Sequence, residues 1–503
     1  MAGMEPQAIV SLYNQLRQER GMEIQRMHEL QRAYNGDIVV PLPELDDAEK
    51  PAVANLVAQG IDQLAARISS RLPDVAFVPI SRQDREVKRA ADARKVILGW
   101  WDMNRLEKRF YRRGRFHVGY GSSPVMVKPV ASHRSNRKIP HWHLLNPLAT
   151  YPVHSGDPDD IHPSCSILLR QQSLAWLQKN YPAQAATLYK GREPRPQTLF
   201  DLLEYNDCDE TVLVVCGRPR DPNDYADFER GVSTVELLER DENRAGMPLL
   251  VCPGRITLDR LQGHFDGVLG MFQAQARMNA YEQIAVFRSI FPELWVVSHP
   301  NAPTEARIIQ VADGKQGIIG EIANGTIQPI QPQPSVQVPT TIDRLERSIR
   351  VQAGIPADWG GESGSNIRTA RRGEQVMGSA IDPIIGEAQT IFSESFEKED
   401  EIAIAIAKAY WGGRSTSFYI PRSGKPLADD YRPNDVFKSD FHFVKFSMPG
   451  VDAAGLPIEI GQRTGTGEMS MQTAREIDPM IEDPDLERDR VEIEGIRLAL
   501  LKG

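Results

Sequence analysis

The chain has 503 residues, with 59 Lys and Arg against 68 Asp and Glu, a net charge of −9 and a mean hydropathy of −0.39. That length leaves room for about two to four domains, and the balance excludes a globally basic, nucleic-acid-coating protein. The four cysteines (Cys165, Cys208, Cys216, Cys252) form no C-x-x-C spacing and suit a reducing compartment better than a disulfide framework. The opening "MAGMEPQAIVSLYNQ" lacks a basic-then-apolar order, and no apolar run approaches the roughly 18 residues of a membrane span. A soluble protein of the cytosol, with no membrane contact, is expected.

The first 80 residues read as helices. Leu12, Leu16, Met22, Met27 and Leu30 form one apolar stripe that ends at Asn35-Gly36. Leu56, Ile61, Leu64, Ile68 and Leu72 form a second, stopped by Pro73. A third helix follows through "REVKRAADARKVILGWWDMNRLEKRFYRRGRFHVGYG", with a break near Asn104. Strand patterns then take over in "SPVMVKPV", "PHWHLLN", "CSILLR" and "TVLVVCG", separated by turns such as "GDPDD" at 156–160.

From Thr257 a proline-free stretch of over thirty residues begins. Its Leu258, Leu261, Phe265, Val268 and Phe272 step by three and four, the spacing of a packing stripe. As one helix it would be about 50 Å long at ~1.5 Å per residue. Three glycines in "GHFDGVLG" would each cost ~1 kcal/mol against alanine. So thin a stripe predicts a helix that cannot bury itself and needs neighbours on both sides. After Pro292 come short β-branched runs between "ADGKQG" and "ANG" turns, a small hairpin module, then the extended linker "QPIQPQPSVQVP". A helix capped by threonine at "TTIDRLERSIRVQAGI" follows, with Leu345, Ile349 and Val351 on its apolar side.

Residues 360–374, "GGESGSNIRTARRGE", then open a long helical stretch in which Pro383 predicts a kink. "EIAIAIAKAY" alternates like a strand in isolation, but the helix formers upstream favour helix. Two strands, "STSFYIPRSG" and "FHFVKFSMPG", and a set of acidic helices close the chain. Charge is uneven: 81–138 carry 16 basic against 5 acidic residues, and 451–503 carry 6 against 12. Such blocks are surfaces for partners, each other included, or simply solvated faces.

Catalytic signatures are missing. The glycine loop has no Walker lysine, no Rossmann fingerprint follows a strand, and no G-x-S-x-G elbow is present. Arg368, Arg371 and Arg372 sit at a helix start, where cations oppose the dipole. They suit an external anionic partner, or carboxylates of a neighbouring subunit. His141 and His143 would share a strand face as metal ligands do, without a third ligand nearby. Asp157, Asp159 and Asp160 read as a turn around Pro158 rather than a calcium loop. "RRGRFHVGYG" mixes basic and aromatic residues as nucleic-acid surfaces do, though a helix end with a tight glycine turn accounts for it as well. The expectation is a non-enzymatic protein with no cofactor and no metal.

The order of these elements resembles the portal protein, or head-tail connector, of tailed bacteriophages, the long-tailed type found in phages of Gram-positive hosts. "NLVAQGIDQLAARISSRLPDVAF", "ILGWWDMNRLEKRFYRRGRFHVGYGSSPVMVKP", "LLNPLATYPVHSGDPDD" and "GIPADWGGESGSNIRTARRGEQV" carry the likeness, which covers most of the chain. The resemblance implies a mostly helical α+β fold with wing, stem, clip and crown regions, assembled as a ring that is usually dodecameric. The wing would be 1–256 with returning strands at 412–450. The stem helices would be 257–291 and 341–354, the clip 292–340, the tunnel loop 355–367, the long wing helix 366–411 and the crown 451–503. The ring would sit at one vertex of the virion capsid, against the major capsid protein, as the DNA channel for genome packaging and ejection. Its clip would dock the terminase large subunit and later the head-tail adaptor, with Lys315, Gln316 and Asn324 as candidate contacts. Gly360, Gly361, Ser363, Ser365, Asn366, Arg368, Arg371 and Arg372 would line the bore. A uniformly basic lining would grip double-stranded DNA through counterion release, so a few arginines in an acidic chain fit a sliding polyanion. The rival readings are another virion structural protein, of the capsid or tail, and a nucleotide-dependent packaging enzyme.

Overall fold

The computed structural model describes residues 3–37, 55–70, 72–129, 139–154, 161–188, 195–220, 235–257, 260–290, 293–298, 305–310, 317–323, 325–330, 337–353, 370–415, 419–420, 425–426, 431–446, 456–477 and 484–502. Helix and sheet are mixed, with helix the larger share, so the class is α+β. No described helix is long and apolar enough to cross a membrane. The chain divides into two compact units, Met1–Leu30, Gly60–Asp266 and Ser365–Gly503 in the first, Gln31–Gln59 and Gly267–Gly364 in the second.

The first apolar stripe folds as two helices, α1 (Pro6–Glu19) and α2 (Gly21–Asn35). Arg20 leaves helical geometry between them while its N–H still bonds Leu16 O. The break resets the register, so Leu16, Met27 and Leu30 are buried but Met22, expected in the stripe, is 85% exposed. Helix α3 (Leu56–Ile68) buries Leu56, Ile61, Leu64 and Ile68 as expected. A short strand, β1 (Asp74–Phe77), leads to α4 (Asp84–Met103) and α5 (Leu106–Tyr120). The expected break at Asn104 is present. Arg105 takes a left-handed conformation, φ 54°, which costs an L-residue about 1–2 kcal/mol.

Strands β2 (Val125–Pro129) and β3 (Pro140–Leu144) follow. Next come β4 (Thr150–Val153), β5 (Cys165–Ser173), α6 (Leu174–Asn180), α7 (Pro182–Thr187), β6 (Leu199–Asn206), β7 (Glu210–Arg220), β8 (Val235–Glu242) and β9 (Leu250–Val251). The strands β4 to β8 form one antiparallel sheet in chain order, and β3-β2-β9 a smaller one. Alternation along the large sheet decides what covers it. Leu203, Val212 and Val214 pack on one face with Ile9, Val10, Tyr13 and Leu16 of α1. Leu202 and Val215 turn to the other face, where Leu174, Leu177, Ala185 and Leu188 cover them.

The helix expected from Thr257 starts twelve residues later. Strands β10 (Ile256–Thr257) and β11 (Arg260–Leu261) form a small antiparallel pair, Leu258 lies outside the described residues, and turns then lead into α8 (Leu269–Ile290). Glycine packing explains the difference. Gly121 ends α5 at φ 77°, and a Cβ there would lie 2.6 Å from the Gln262 carbonyl carbon. A Cβ on Gly263 would come within 1.9 Å of Gly119 O. Gly263 thus lets two backbones touch ahead of the helix, whereas Gly270 does lie inside α8. The stripe is also better covered than expected: Phe265, Val268 and Phe272 are fully buried within the single chain.

Among the described residues, four strands separate α8 from the next helix: β12 (Glu293–Ser298), β13 (Glu305–Gln310), β14 (Gly317–Ala323) and β15 (Gly325–Ile330). They nest, with β13 against β14 and β12 against β15, both antiparallel, and a register shift interrupts β13 between Arg307 and Ile308. Gln328, Pro329 and Ile330, expected in the extended linker, are the end of β15, which pairs Pro329 with Leu294. The returning helix α9 (Gln337–Gln352) begins four residues before the expected threonine cap. Pro339 is tolerated there because first-turn N–H groups have no helical acceptor. Thr341 instead donates its hydroxyl to Gln337 O at 2.8 Å. Helices α8 and α9 pack on each other. Ile349 is buried, whereas Val351, expected on the same side, is 76% exposed, two residues being about 200° apart on a helix.

Helix α10 (Ala370–Trp411) runs 42 residues and contains Pro383. The segment "EIAIAIAKAY" lies inside it, with Ile402, Ala403, Ile404, Ile406 and Ala407 buried. Burial on nearly every side, not a strand-like alternation, explains that composition. Short strands β16 (Tyr419–Ile420) and β17 (Lys425–Pro426) pair, α11 (Pro433–Val436) intervenes, and β18 (His442–Lys445) returns antiparallel to β1. The chain closes with α12 (Leu456–Gly465), α13 (Met471–Ile477) and α14 (Pro484–Lys502).

Candidate functional site

The residues expected to line a bore, Gly360, Gly361, Ser363, Ser365, Asn366 and Arg368, lie outside the described residues, as do the side chains of Arg371 and Arg372. The helix they were expected to open is described from Ala370. Lys315 and Gln316, in the 311–316 connection between β13 and β14, and Asn324, between β14 and β15, lie outside too. So does the aspartate turn at 156–160.

What the structure does bring together is a buried polar seam along α10. Its core stripe runs Ile385, Ala388, Phe392, Phe396, Ile402, Ile406, and Ser395, Glu399 and Asp400 fall on the same side. Arg113 of α5 reaches this seam and donates to Ser395 Oγ at 2.7 Å and Glu399 Oε1 at 2.6 Å. Ser395 in turn donates to Glu399 at 2.8 Å. The guanidinium lies 5.0 and 4.8 Å from the ring centres of Phe392 and Phe396, a cation–π setting. Burial pushes the Glu399 carboxyl up, and the Arg113 charge opposes that. A pair this dry holds two elements in one register, and removing one partner strands a charge at a cost of about 3–5 kcal/mol.

One residue along, Asp400 accepts from the Trp101 indole at 2.9 Å and faces His442 Nε2 at 3.7 Å. His442 donates through Nδ1 to Asp440 O at 2.8 Å and stacks on Phe77. Burial depresses His442, but Asp400 outweighs it and leaves the imidazole raised above its ordinary value. Two consecutive α10 carboxylates therefore fix α10 to α5, α4 and β18.

His141 and His143 are the metal candidates that fall among the described residues. They do share a face of β3, with ring centres 4.5 Å apart and edge to face. His141 bonds Asn104 through Nδ1, and burial pushes His143 down to about 3. No group of three or more His, Cys, Asp or Glu suited to a metal occurs among the described residues. "RRGRFHVGYG" is the helix end with a glycine turn: Arg113, His117 and Val118 are buried and Gly121 is left-handed.

The sequence marks Asn104 only as a helix break and Arg113 only within the basic and aromatic run, neither as a buried hydrogen-bonding centre. Asn104 bridges the α4–α5 break to β3, donating to Trp100 O at 2.8 Å and Pro140 O at 3.0 Å while accepting from Trp142 N. The signal for Arg113 was available, since Leu106, Phe110, Arg113 and His117 step by four, three and four. A charge on an apolar stripe needs a buried partner.

No family model matches the chain, and no curated protein sequence matches it.

Proposed function

We propose that the chain is the subunit of a tailed-phage portal, a ring through which a separate motor threads double-stranded DNA. One observation supports this most: a nested four-strand module lies between two helices, α8 and α9, that pack on each other, and a 42-residue helix follows. Two helices carrying a β tip suit a stem and clip, and the long helix a wing. Tyr281, Val286 and Val351 remain exposed on the α8–α9 pair, apolar surface that neighbouring copies would cover.

In this reading Lys315, Gln316 and Asn324 meet the terminase and later the head-tail adaptor. The loop through Gly360, Gly361, Ser363, Ser365 and Asn366, with Arg368, Arg371 and Arg372, borders the bore. The ring belongs to the capsid vertex of the virion, adjoins the major capsid protein, and performs no chemical step itself. Negative-stain images of the purified chain should show closed rings, dodecameric by the family's habit, with a central hole. Monomers, tubes or sheets would overturn the proposal, and ATP turnover by the purified chain would favour a packaging enzyme.

A further inference from the structure

Among the described residues, α13 packs on helix α14 but leaves much of its length uncovered. Every residue from Arg490 to Arg497 is exposed, Ile493 at 50% and Ile496 at 62%. Two exposed turns of helix with isoleucines on one side are an unfinished interface.

The sequence of α14 specifies what finishes it. Leu486, Ile493 and Leu500 recur every seven residues, and Ile496 sits three beyond Ile493, the a and d pattern of a coiled-coil seam. Asp489 takes the other d position, where a parallel pair sets it against its own copy, a like-charge cost that the flanking pairs must outweigh. The flanking positions are sorted by sign. On the e side stand Arg490 and Arg497, and on the g side Asp485 and Glu492.

In a parallel pair, each g position faces the partner's e position five residues on. Asp485 then meets Arg490 and Glu492 meets Arg497 of the next copy, opposite charges both times. Antiparallel pairing would set e against e and g against g, arginine on arginine and carboxylate on carboxylate, so it is opposed.

We infer that α14 binds α14 of adjacent copies of this chain, parallel, through a seam of Ile493 and Ile496 flanked by Glu492–Arg497 pairs. Each helix offers one acidic and one basic flank, a head-to-tail contact that repeats around a closed ring. This rests on the ring reading above. At 19 residues, about 28 Å, the helix is too short to associate firmly alone, and the assembly must supply the local concentration.

The test uses the full chain with Arg497→Lys, which keeps the charge and adds an amine. A carbodiimide couples carboxylates to amines in direct contact, and positions 492 and 497 of one helix do not face each other. Denaturing gels should show a ladder extending beyond dimers, with the 492–497 cross-link identified by mass spectrometry. Adding Glu492→Gln should remove that cross-link. In a second arm, Glu492→Arg should weaken the oligomer against salt, and Glu492→Arg with Arg497→Glu should restore it. Intact rings in electron micrographs without the 492–497 product overturn this inference and leave the ring reading standing. A product that stops at dimers overturns the head-to-tail arrangement, and a chain that forms no oligomer overturns both.

Discussion

Helices α10 and α14 are built the opposite way round. From Ile385 to Trp411, α10 is lined with buried apolar side chains, and it also buries two carboxylates, each with a named partner from another element. By contrast, α14 puts Ile493 and Ile496 in solvent, with Glu492 on one flank of them and Arg497 on the other. A helix that hides charge must have its partners in place, because an unpaired buried charge is far costlier than an exposed methyl group. Such a helix is completed by its own chain. A helix that shows its seam is, on the inference above, completed by another copy.

If that contrast is right, the same kind of substitution should act very differently in the two helices. The largest loss is expected from Arg113→Met, which leaves Glu399 buried without its cation. Thermal or denaturant unfolding should show a loss of about 3–5 kcal/mol, and adding Glu399→Leu should recover much of it. If the single variant proves neutral, the pair is not holding α10 to α5.

Next comes the glycine contact that positions the chain ahead of α8. Gly263→Ala would set a Cβ against Gly119 O and force the two backbones apart. A loss of about 1–3 kcal/mol is expected, measurable by the same melts. A wild-type melting temperature would show that the close approach is not needed.

A smaller, pH-dependent effect is expected at His442. Its folded-state value is raised by Asp400, so the folded protein holds that proton more tightly than the unfolded chain. The contribution is full below the unfolded value of about 6.5 and is lost as pH rises through the folded value. Melting temperature should therefore fall as pH rises through and above neutrality, and His442→Gln should flatten that slope. A slope that survives the substitution assigns the dependence elsewhere.

The smallest effect on folding is expected in α14. Glu492→Arg should leave the unfolding of the individual chain within about 0.5 kcal/mol, as exposed substitutions usually do. Its effect should appear in assembly instead. An unfolding loss as large as that of Arg113→Met would mean that α14 belongs to the chain's own core, and the contrast would collapse.

Local chemistry was enough for much of the secondary structure. Apolar spacing placed α3, alternation placed β2 and β3, short β-rich runs placed β5 and β7, and the glycine turns marked out the strand module. These features depend on neighbours three or four residues away, or on the turn a glycine permits. The same information misplaced Met22, Val351 and the start of α8, because each turns on where a helix begins or breaks, and distant packing sets that. Of the site, the sequence supplied candidates for a bore and a docking tip, and those residues lie outside the described set.

Sequence by itself determined the class of this protein, mixed α and β, and the heptad pattern that marks α14. Both follow from periodicity, which a chain carries whatever it folds against. Only the tertiary structure decided that Arg113, Glu399 and Asp400 are inside, that Gly119 and Gly263 touch, and that the isoleucines of α14 are outside. Burial is a relation between segments hundreds of residues apart. No local pattern records which of two apolar stripes finds its cover within the chain.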